Sequence, residues 1–405
     1  MKKFVFAIMA LVLLVGCTKD IGSETDLVQN ELVSETETDG NVTTDNDEGD
    51  VQNNDQDNDY TVCTEIPLFE YAPVNIEKTK IFIPLGLMTG SHVTPIDHHY
   101  FQNFDNVGYN IEVYSPGDGN ITSIQHMPGY PDGEDYRVVI EHGCGVSSIY
   151  IHLGTLAEKF AHIAPELNGS DYGNANEKIL AGELLGYYER NVDYNIVDLN
   201  FTLTGFVRPE SYSGESWKIH VPNTYDYFTD AVNEQLIGIS QRTVEPIVGK
   251  IDYDIEGKLV GNWFLEGTNG YSGGEDGYEG YWMGHLAIAY DHLDPDGIVF
   301  SIGGYLGEDS RQLTVKGNYP DPKDVGIESG VIKYELMRYD YYTLDGNRWD
   351  RNSEVEQVKI GDMGFVDSIL LVQVLENNEI RFELFFDTDV EDVTDFTSEA
   401  IIYTR

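Results

Sequence analysis

Apolar and polar residues alternate in short runs along most of this chain, and a period of two predicts β-strands rather than helices. Ile111–Tyr114 alternates and meets the turn Ser115-Pro116-Gly117-Asp118-Gly119. Segments 121–125, 136–141 and 146–152 alternate in the same way, parted by Gly, Asn and Asp. Two stretches keep helical spacing instead. Segment 156–163 predicts a short local helix, and Phe228, Val232, Leu236 and Ile239 place another over 225–240. Beyond 246 the chain is again mostly β: 258–264 precedes a Gly-, Tyr- and Glu-rich loop, and His285–Tyr290 and Ile298–Ile302 follow as apolar strands. Segments 369–375 and 380–386 flank Glu376-Asn377-Asn378-Glu379, a hairpin signal. The pattern predicts a mainly β protein: an antiparallel β-sheet domain over 64–222, a helical connector over 223–245, and a β-sandwich or barrel over 246–405.

The N-terminus has a different texture. Met1-Lys2-Lys3 is basic, and an almost unbroken apolar run follows to Val15. The run is shorter than the roughly 20 residues a membrane-spanning helix needs, so residues 1–17 read as a signal peptide. Val15-Gly16-Cys17 resembles the end of a bacterial lipoprotein signal. That resemblance implies acylation of Cys17 and an extracytoplasmic protein anchored to the membrane by lipid; the plainer alternative is a secretory signal with an incidental cysteine. Residues 18–60 hold fourteen acidic residues and one basic one, Lys19, with few apolar residues. Such a stretch buries too little surface to offset its ordering entropy, so 18–63 is expected to be a disordered tether. Asp55, Asp57 and Asp59 do not make an EF-hand, because Tyr60 and Ile66 stand where the loop needs Gly and Glu.

Over its 405 residues the chain carries 71 Asp and Glu against 24 Lys and Arg, a formal charge of −47. That excludes a nucleic-acid partner. Most of the charge lies beyond the tether, which fits a saline habitat or, as the less ordinary alternative, a polycationic partner. Three cysteines, Cys17, Cys63 and Cys144, are too few for a disulfide scaffold. A Cys63–Cys144 bond would pin the start of the first domain to a hairpin, and the sequence leaves that pairing open.

Histidine is the informative residue type, with seven of ten between His92 and His162. Zinc enzymes collect His and carboxylate ligands from neighbouring strands and keep one position open for water. The segment from Gly90 to His99 offers His92, Asp97, His98 and His99, and Ser148-Ile149-Tyr150-Ile151-His152-Leu153 offers His152.

In this ordered series the chain resembles the lysostaphin/LytM-type zinc endopeptidases that cut peptidoglycan. The His/Asp segment comes first, then Val113-Tyr114-Ser115-Pro116-Gly117-Asp118-Gly119-Asn120-Ile121. Val138-Val139-Ile140-Glu141-His142-Gly143 and Tyr150-Ile151-His152-Leu153 are similar to the family's central hairpin and its Tyr-x-His-Leu signature. Leu180-Ala181-Gly182-Glu183-Leu184-Leu185-Gly186 closes the series. The resemblance spans about 120 residues and none of the second half. It implies a LytM-like sheet over 64–222, zinc as cofactor, cell-wall peptidoglycan or another surface polymer as partner, and His152 as the catalytic residue beside the metal-bound water.

The ligand set departs from the family. The first His should be followed by Asp four residues on, yet Asp97 lies five beyond His92; if His98 or His99 takes that role, Gln102 or Asn103 stands at the aspartate position. The metal candidates are therefore His92, Asp97 and His98. The late His-x-His falls near Asp198-Leu199-Asn200, so Asp198 and Asn200 replace its histidines, and a neutral amide is a poor zinc ligand. Three readings follow: a degenerate domain that binds wall peptide or glycan or regulates wall hydrolases, an active zinc endopeptidase with a rearranged site, and a surface lipoprotein with neither role. The weight falls on the first. In the second half, Asp294-Pro295-Asp296-Gly297 reads as a turn rather than a cation site with His285, Asp291 and His292. Trp263, Tyr271, Tyr278, Tyr281 and Trp282 read as packing before they read as a sugar platform. Asn120-Ile121-Thr122 and Asn168-Gly169-Ser170 fit the glycosylation acceptor pattern, a match that often arises by chance.

Overall fold

The computed structural model describes residues 67–127, 135–163, 172–274, 281–305 and 307–405. The segments expected to be a signal peptide and a tether, with Cys17 and Cys63, and Tyr278 and the 168–170 pattern lie outside the described residues. Cys144, whose pairing with Cys63 the sequence leaves open, is disulfide-bonded and sits at a left-handed φ of 57° between Gly143 and Gly145.

Among the described residues the first half contains ten strands. They are β1 (Ile81–Ile83), β2 (His99–Gln102), β3 (Ile111–Tyr114), β4 (Gly119–His126) and β5 (Tyr136–Gly143), followed by β6 (Val146–Leu153), β7 (Thr155–Leu156), β8 (Tyr172–Ile179), β9 (Leu184–Tyr188) and β10 (Asn191–Asp198). Seven pair in the order β1-β2-β10-β6-β5-β4-β8, and β3-β9-β7 form a smaller sheet. Every pairing between these strands is antiparallel. The core takes one side chain in two from both sheets, among them Phe101, Tyr150, Tyr194, Ile196, Val113 and Leu185. The segment 156–163 is not the expected helix. Thr155–Leu156 pairs with β9, and the amides of Phe160 and Ala161 both close on the carbonyl of Ala157, a turn that buries Phe160. The second expected helix forms as α1 (Asp230–Gly238), shorter than 225–240, and sets Val232 and Leu236 into the first core.

The second half is a closed barrel in chain order. Its strands are β11 (Gly261–Leu265), β12 (His285–Tyr290), β13 (Ile298–Ile302), β14 (Arg311–Val315), β15 (Val331–Thr343), β16 (Val358–Val374), β17 (Glu379–Phe386) and β18 (Ile401–Thr404). The last strand returns to the first, with Phe264 opposite Thr404, so this barrel has no free edge. The expectation of a sandwich or barrel resolves as a barrel. Trp263 is fully buried in it, under the Arg405 guanidinium at 3.9 Å. Arg405 also donates to the carbonyls of Val260 at 2.8 Å and Ile255 at 3.0 Å. Tyr271 is buried as well, so these two rings serve packing rather than a sugar platform. Gly297 N closes on Asp294 O at 2.8 Å and Asp294 takes Lys359 at 2.7 Å, which makes that segment a turn.

The halves pack directly. Ile81 and Ile83 of β1 share a core with Leu293, Tyr341, Trp349 and Val358, and Arg242 donates to His292 O at 2.6 Å. Two core histidines bear on stability. His99, offered by the sequence as an alternative first ligand, is fully buried on the core face, with Nε2 2.9 Å from Thr224 Oγ1 and Nδ1 3.2 Å from Ile83 O. His285 is equally enclosed, with Nε2 2.9 Å from Tyr271 O.

Burial drives both imidazoles down to about 3 from the ordinary 6.5. A depressed folded-state pKa means that their contribution is complete above 6.5 and is lost as pH falls from there toward 3. Urea melts taken down that range should show a falling midpoint, with each histidine supplying up to about 1.4 kcal/mol per pH unit. His99→Gln should remove one histidine's share of the slope; an unchanged slope would show that His99 is not held neutral.

Candidate functional site

The cluster that could carry chemistry lies on the face of the larger sheet opposite the first core. Alternation along β10 decides its make-up: Val192, Tyr194 and Ile196 enter the core, so Asp193 and Asn195 face the other way. The register sets Asp193 beside Tyr100 of β2 and Ile151 of β6. His98 directly precedes β2, and His152 follows Ile151, so both rings come to the same carboxylate. His98 Nε2 lies 3.2 Å and His152 Nε2 3.6 Å from Asp193 Oδ2. Tyr100 Oη is 3.1 Å from His98 Nε2.

Each imidazole is held from behind. Asp135 meets His152 Nδ1 at 3.0 Å, and Asp97 Oδ1 meets His98 Nδ1 at 3.3 Å. His152 stands at φ 73°, a left-handed conformation seldom adopted outside glycine. Lys218 is buried beside the cluster; its Nζ donates to Pro95 O at 3.0 Å and lies 5.0 Å from the Tyr271 ring. Its charge acts on Asp97. Asp97, Asp135 and Asp193 are all nearly inaccessible, and the side chains of His98 and His152 keep 13% and 25% of their exposure. The cluster is therefore buried at its carboxylates and partly exposed at its imidazoles.

The electrostatics follow from that arrangement. Burial opposes charge on both rings, but the Asp193 carboxylate outweighs it, aided by Asp97 for His98 and by Asp135 for His152. The result is a pKa of about 10 for His98 and about 9 for His152. Burial would raise Asp193, yet the two imidazoles hold it below the ordinary carboxylate range. Asp97 is likewise held low, with Lys218 and His98 overcoming its burial. Two carboxylate oxygens, Asp97 Oδ2 and Asp193 Oδ1, are buried with no hydrogen-bond donor.

The sequence-derived candidates distribute unevenly over this geometry. His98 and His152 lie in the cluster, and His92 is an exposed residue with its ring centroid 6.1 Å from that of His98. Asp97 addresses the far nitrogen of His98, so His92, Asp97 and His98 are not gathered as three ligands. Among the described residues no group of three or more His, Cys, Asp or Glu side chains could hold a metal ion. Asp198 and Asn200 are not at the cluster. Asp198 is opposite Val146 at the other end of β10, about 16 Å of strand beyond Asp193. Its carboxylate takes Tyr227 Oη at 2.5 Å and the Asn200 amide at 2.8 Å. Asn200 Nδ2 donates to Cys144 O at 2.7 Å. The Asp-x-Asn that faces the cluster is Asp193-Tyr194-Asn195.

Sequence reasoning missed Asp135, Asp193 and Lys218. Asp193 was within reach, because the alternation of Val192, Tyr194 and Ile196 marks a strand whose polar residues share the other face. His142 is a hairpin fastener, with Nε2 2.7 Å from Ser148 Oγ and Nδ1 2.9 Å from Asp118 O.

No protein-family model and no curated protein matches the chain. Among solved structures it is similar to a zinc-containing peptidase from Vibrio cholerae, with 19% identity and a TM-score of 0.20. The match takes in 32% of this chain and 37% of that one. The likeness is partial and distant, and carries no argument about activity. The fold itself defines the class: a mainly β protein with antiparallel sheets in its first half and an eight-stranded antiparallel barrel in its second.

Asp193→Ala would leave two imidazoles facing each other without the carboxylate between them. The expected cost is about 3–5 kcal/mol in a denaturant melt of the metal-free chain at neutral pH. In the same variant His98 and His152, followed by NMR, should titrate closer to 6.5 than in the native chain. A variant as stable as the native chain, with unmoved titrations, would remove Asp193 from the centre of the cluster.

Proposed function

We propose that the first half of the chain is a cell-wall-directed binding module displayed outside the cell on a lipid anchor at Cys17. In this reading it holds wall peptide or glycan at the His98–Asp193–His152 cluster without cutting it. The observation that carries the reading is a charged cluster with partly exposed imidazoles and exposed apolar side chains in a loop beside it. Tyr109 packs its ring against Gly154, two residues beyond His152, and Phe104 and Val107 of the same loop are exposed. Partly exposed imidazoles together with exposed aromatic and aliphatic side chains suit a ligand with both amide or hydroxyl groups and apolar faces. The ordered motifs shared with LytM-type peptidases add the substrate class. Strand β10 bears Asp193 and Asn195 rather than a His-x-His, which supports binding over hydrolysis.

The test is co-sedimentation of the full chain with purified peptidoglycan, read for both retention and release of soluble fragments. Native chain should be retained with no fragments released, and Tyr109→Ala should weaken retention by about tenfold, equivalent to about 1.4 kcal/mol. No retention would sink the reading. Fragments that vanish with His152→Ala would replace it with the hydrolytic one.

The anchor is checked in cells. Fatty-acid labelling should mark the native chain, and Cys17→Ser should abolish the label and release the protein from the membrane fraction. An unlabelled native chain would rule out lipidation.

A further inference from the structure

We infer that the barrel supplies positioning residues for the wall-binding face, Asn352 and Gln312, so that both halves build this face rather than the first alone. Its consequence for retention rests on the wall-binding reading; the contacts that carry it lie outside the charged cluster.

Two loops of the first half border the cluster, and neither is held by its own half alone. The first, 87–98, leads through Gly90 and His92 to His98; the second, 103–110, carries Phe104, Val107 and Tyr109. In the first loop Gly90 stands at φ 53° within a tight turn closed by Thr89 and His92, whose backbone groups bond each other at 3.0 and 2.9 Å. Gln312 of β14 grips both backbone groups of Gly90. Its Oε1 accepts from the Gly90 amide at 3.1 Å, and its Nε2 donates to the Gly90 carbonyl at 3.1 Å. The same Nε2 lies 3.2 Å from Ser301 Oγ of β13, which fixes the carboxamide.

The second loop is shared between the halves. Its base belongs to the first half, where Asn106 Nδ2 donates to Glu189 O at 2.6 Å and the Gly108 amide to Glu189 Oε1 at 2.8 Å. Its shoulder belongs to the barrel, since the Phe104 amide donates to Asn352 Oδ1 at 2.9 Å. Asn352 is 9% exposed and lies between β15 and β16 in a segment that braces itself. Asp350 Oδ1 accepts from the amides of Asn352 and Ser353 at 2.9 and 2.7 Å, and the Trp349 indole donates to Ser353 O at 2.7 Å. Arg351, directly before Asn352, stands at φ 63°. A left-handed residue other than glycine persists only where its surroundings enforce it, and such residues collect at ligand clamps.

What these bonds add is preorganisation. Exposed apolar side chains on a loose loop lose freedom when a ligand orders them, so a loop already fixed binds more tightly through the same contacts. The barrel is fastened where it can do this. Trp349 packs with Ile81 and Ile83 of β1 in the core that joins the halves, and it also carries the segment that presents Asn352. The packing between halves therefore sets where Asn352 stands, and Asn352 sets where Phe104 stands.

The experiment uses the full chain and two readouts. Amide exchange followed by NMR reports position. Asn352→Ala should speed exchange of the Phe104 amide at least about fivefold, and Gln312→Ala that of the Gly90 amide, while the amides of β10 keep their native rates. Co-sedimentation with purified peptidoglycan reports the consequence. Asn352→Ala should weaken retention about fivefold, as the net contribution of one hydrogen bond allows. In a Phe104→Ala background it should add nothing further, because the bond acts through Phe104. Tyr319, 77% exposed on the barrel, is the control, and Tyr319→Ala should be retained like the native chain. Unchanged exchange at Phe104 and Gly90 would overturn the inference. So would a loss that adds in full to that of Phe104→Ala, or an equal loss in Tyr319→Ala, since the barrel would then meet the wall directly. Should Asn352→Ala unfold, Gly90 exchange in Gln312→Ala decides. A native chain that is not retained refutes the wall reading alone, and exchange still decides whether the barrel positions the loops.

Discussion

Strand β10 is the constraint on which the first half of this protein depends, because it is buried on both faces. It lies between β2 and β6 near the middle of the larger sheet. On one side Val192, Tyr194 and Ile196 complete the core; on the other, Asp193 and Asn195 are 4% exposed. A carboxylate in that position is tolerated only if cations meet it, since an unpaired buried charge costs several kcal/mol. His98 and His152 meet it from the two flanking strands. Their own orientation then requires Asp97 and Asp135 behind them. A single alternation in one strand thus propagates into a five-residue electrostatic unit.

The second half solves a different problem. Eight strands meandering in chain order close on themselves, and Arg405 caps the seam by joining the carbonyls around Val260 to the face of Trp263. Its partner charge, Asp254, lies 3.5 Å away and is buried with it. The barrel is also a support for the first half. Its residues Leu293, Tyr341, Trp349 and Val358 cover the outward side of β1, and Tyr271 lies under the buried Lys218 beside the cluster. The geometry of the cluster therefore depends on both halves, although every one of its ionisable side chains comes from the first.

Much of the fold was legible because strand periodicity is local. Ile111–Tyr114 forms within the bounds its alternation marks, His285–Tyr290 and Ile298–Ile302 form where their apolar runs lie, and the hairpin around Asn377 turns where its polar residues lie. Segment 156–163 misled because buried Ala157 and Phe160 mimic helical spacing in what is a turn against β9. The candidate site was half legible. His98 and His152 could be picked out by residue type and motif order. The motif count points to Asp198, and such a count gives no information on which end of a strand meets the imidazoles. His99 and His98 are neighbours in sequence, yet they face opposite sides of the sheet.

The sequence by itself determined the mainly β class, the division into two β halves and the enrichment of histidine and carboxylate in the first, because periodicity and composition are properties of neighbouring residues. Tertiary structure alone decided that the second half closes as a barrel, that His99 is a core residue, and that Asp193 joins His98 to His152. Those outcomes depend on register between strands far apart in the chain. Register is set by how the two faces of each sheet are buried, which no local pattern records.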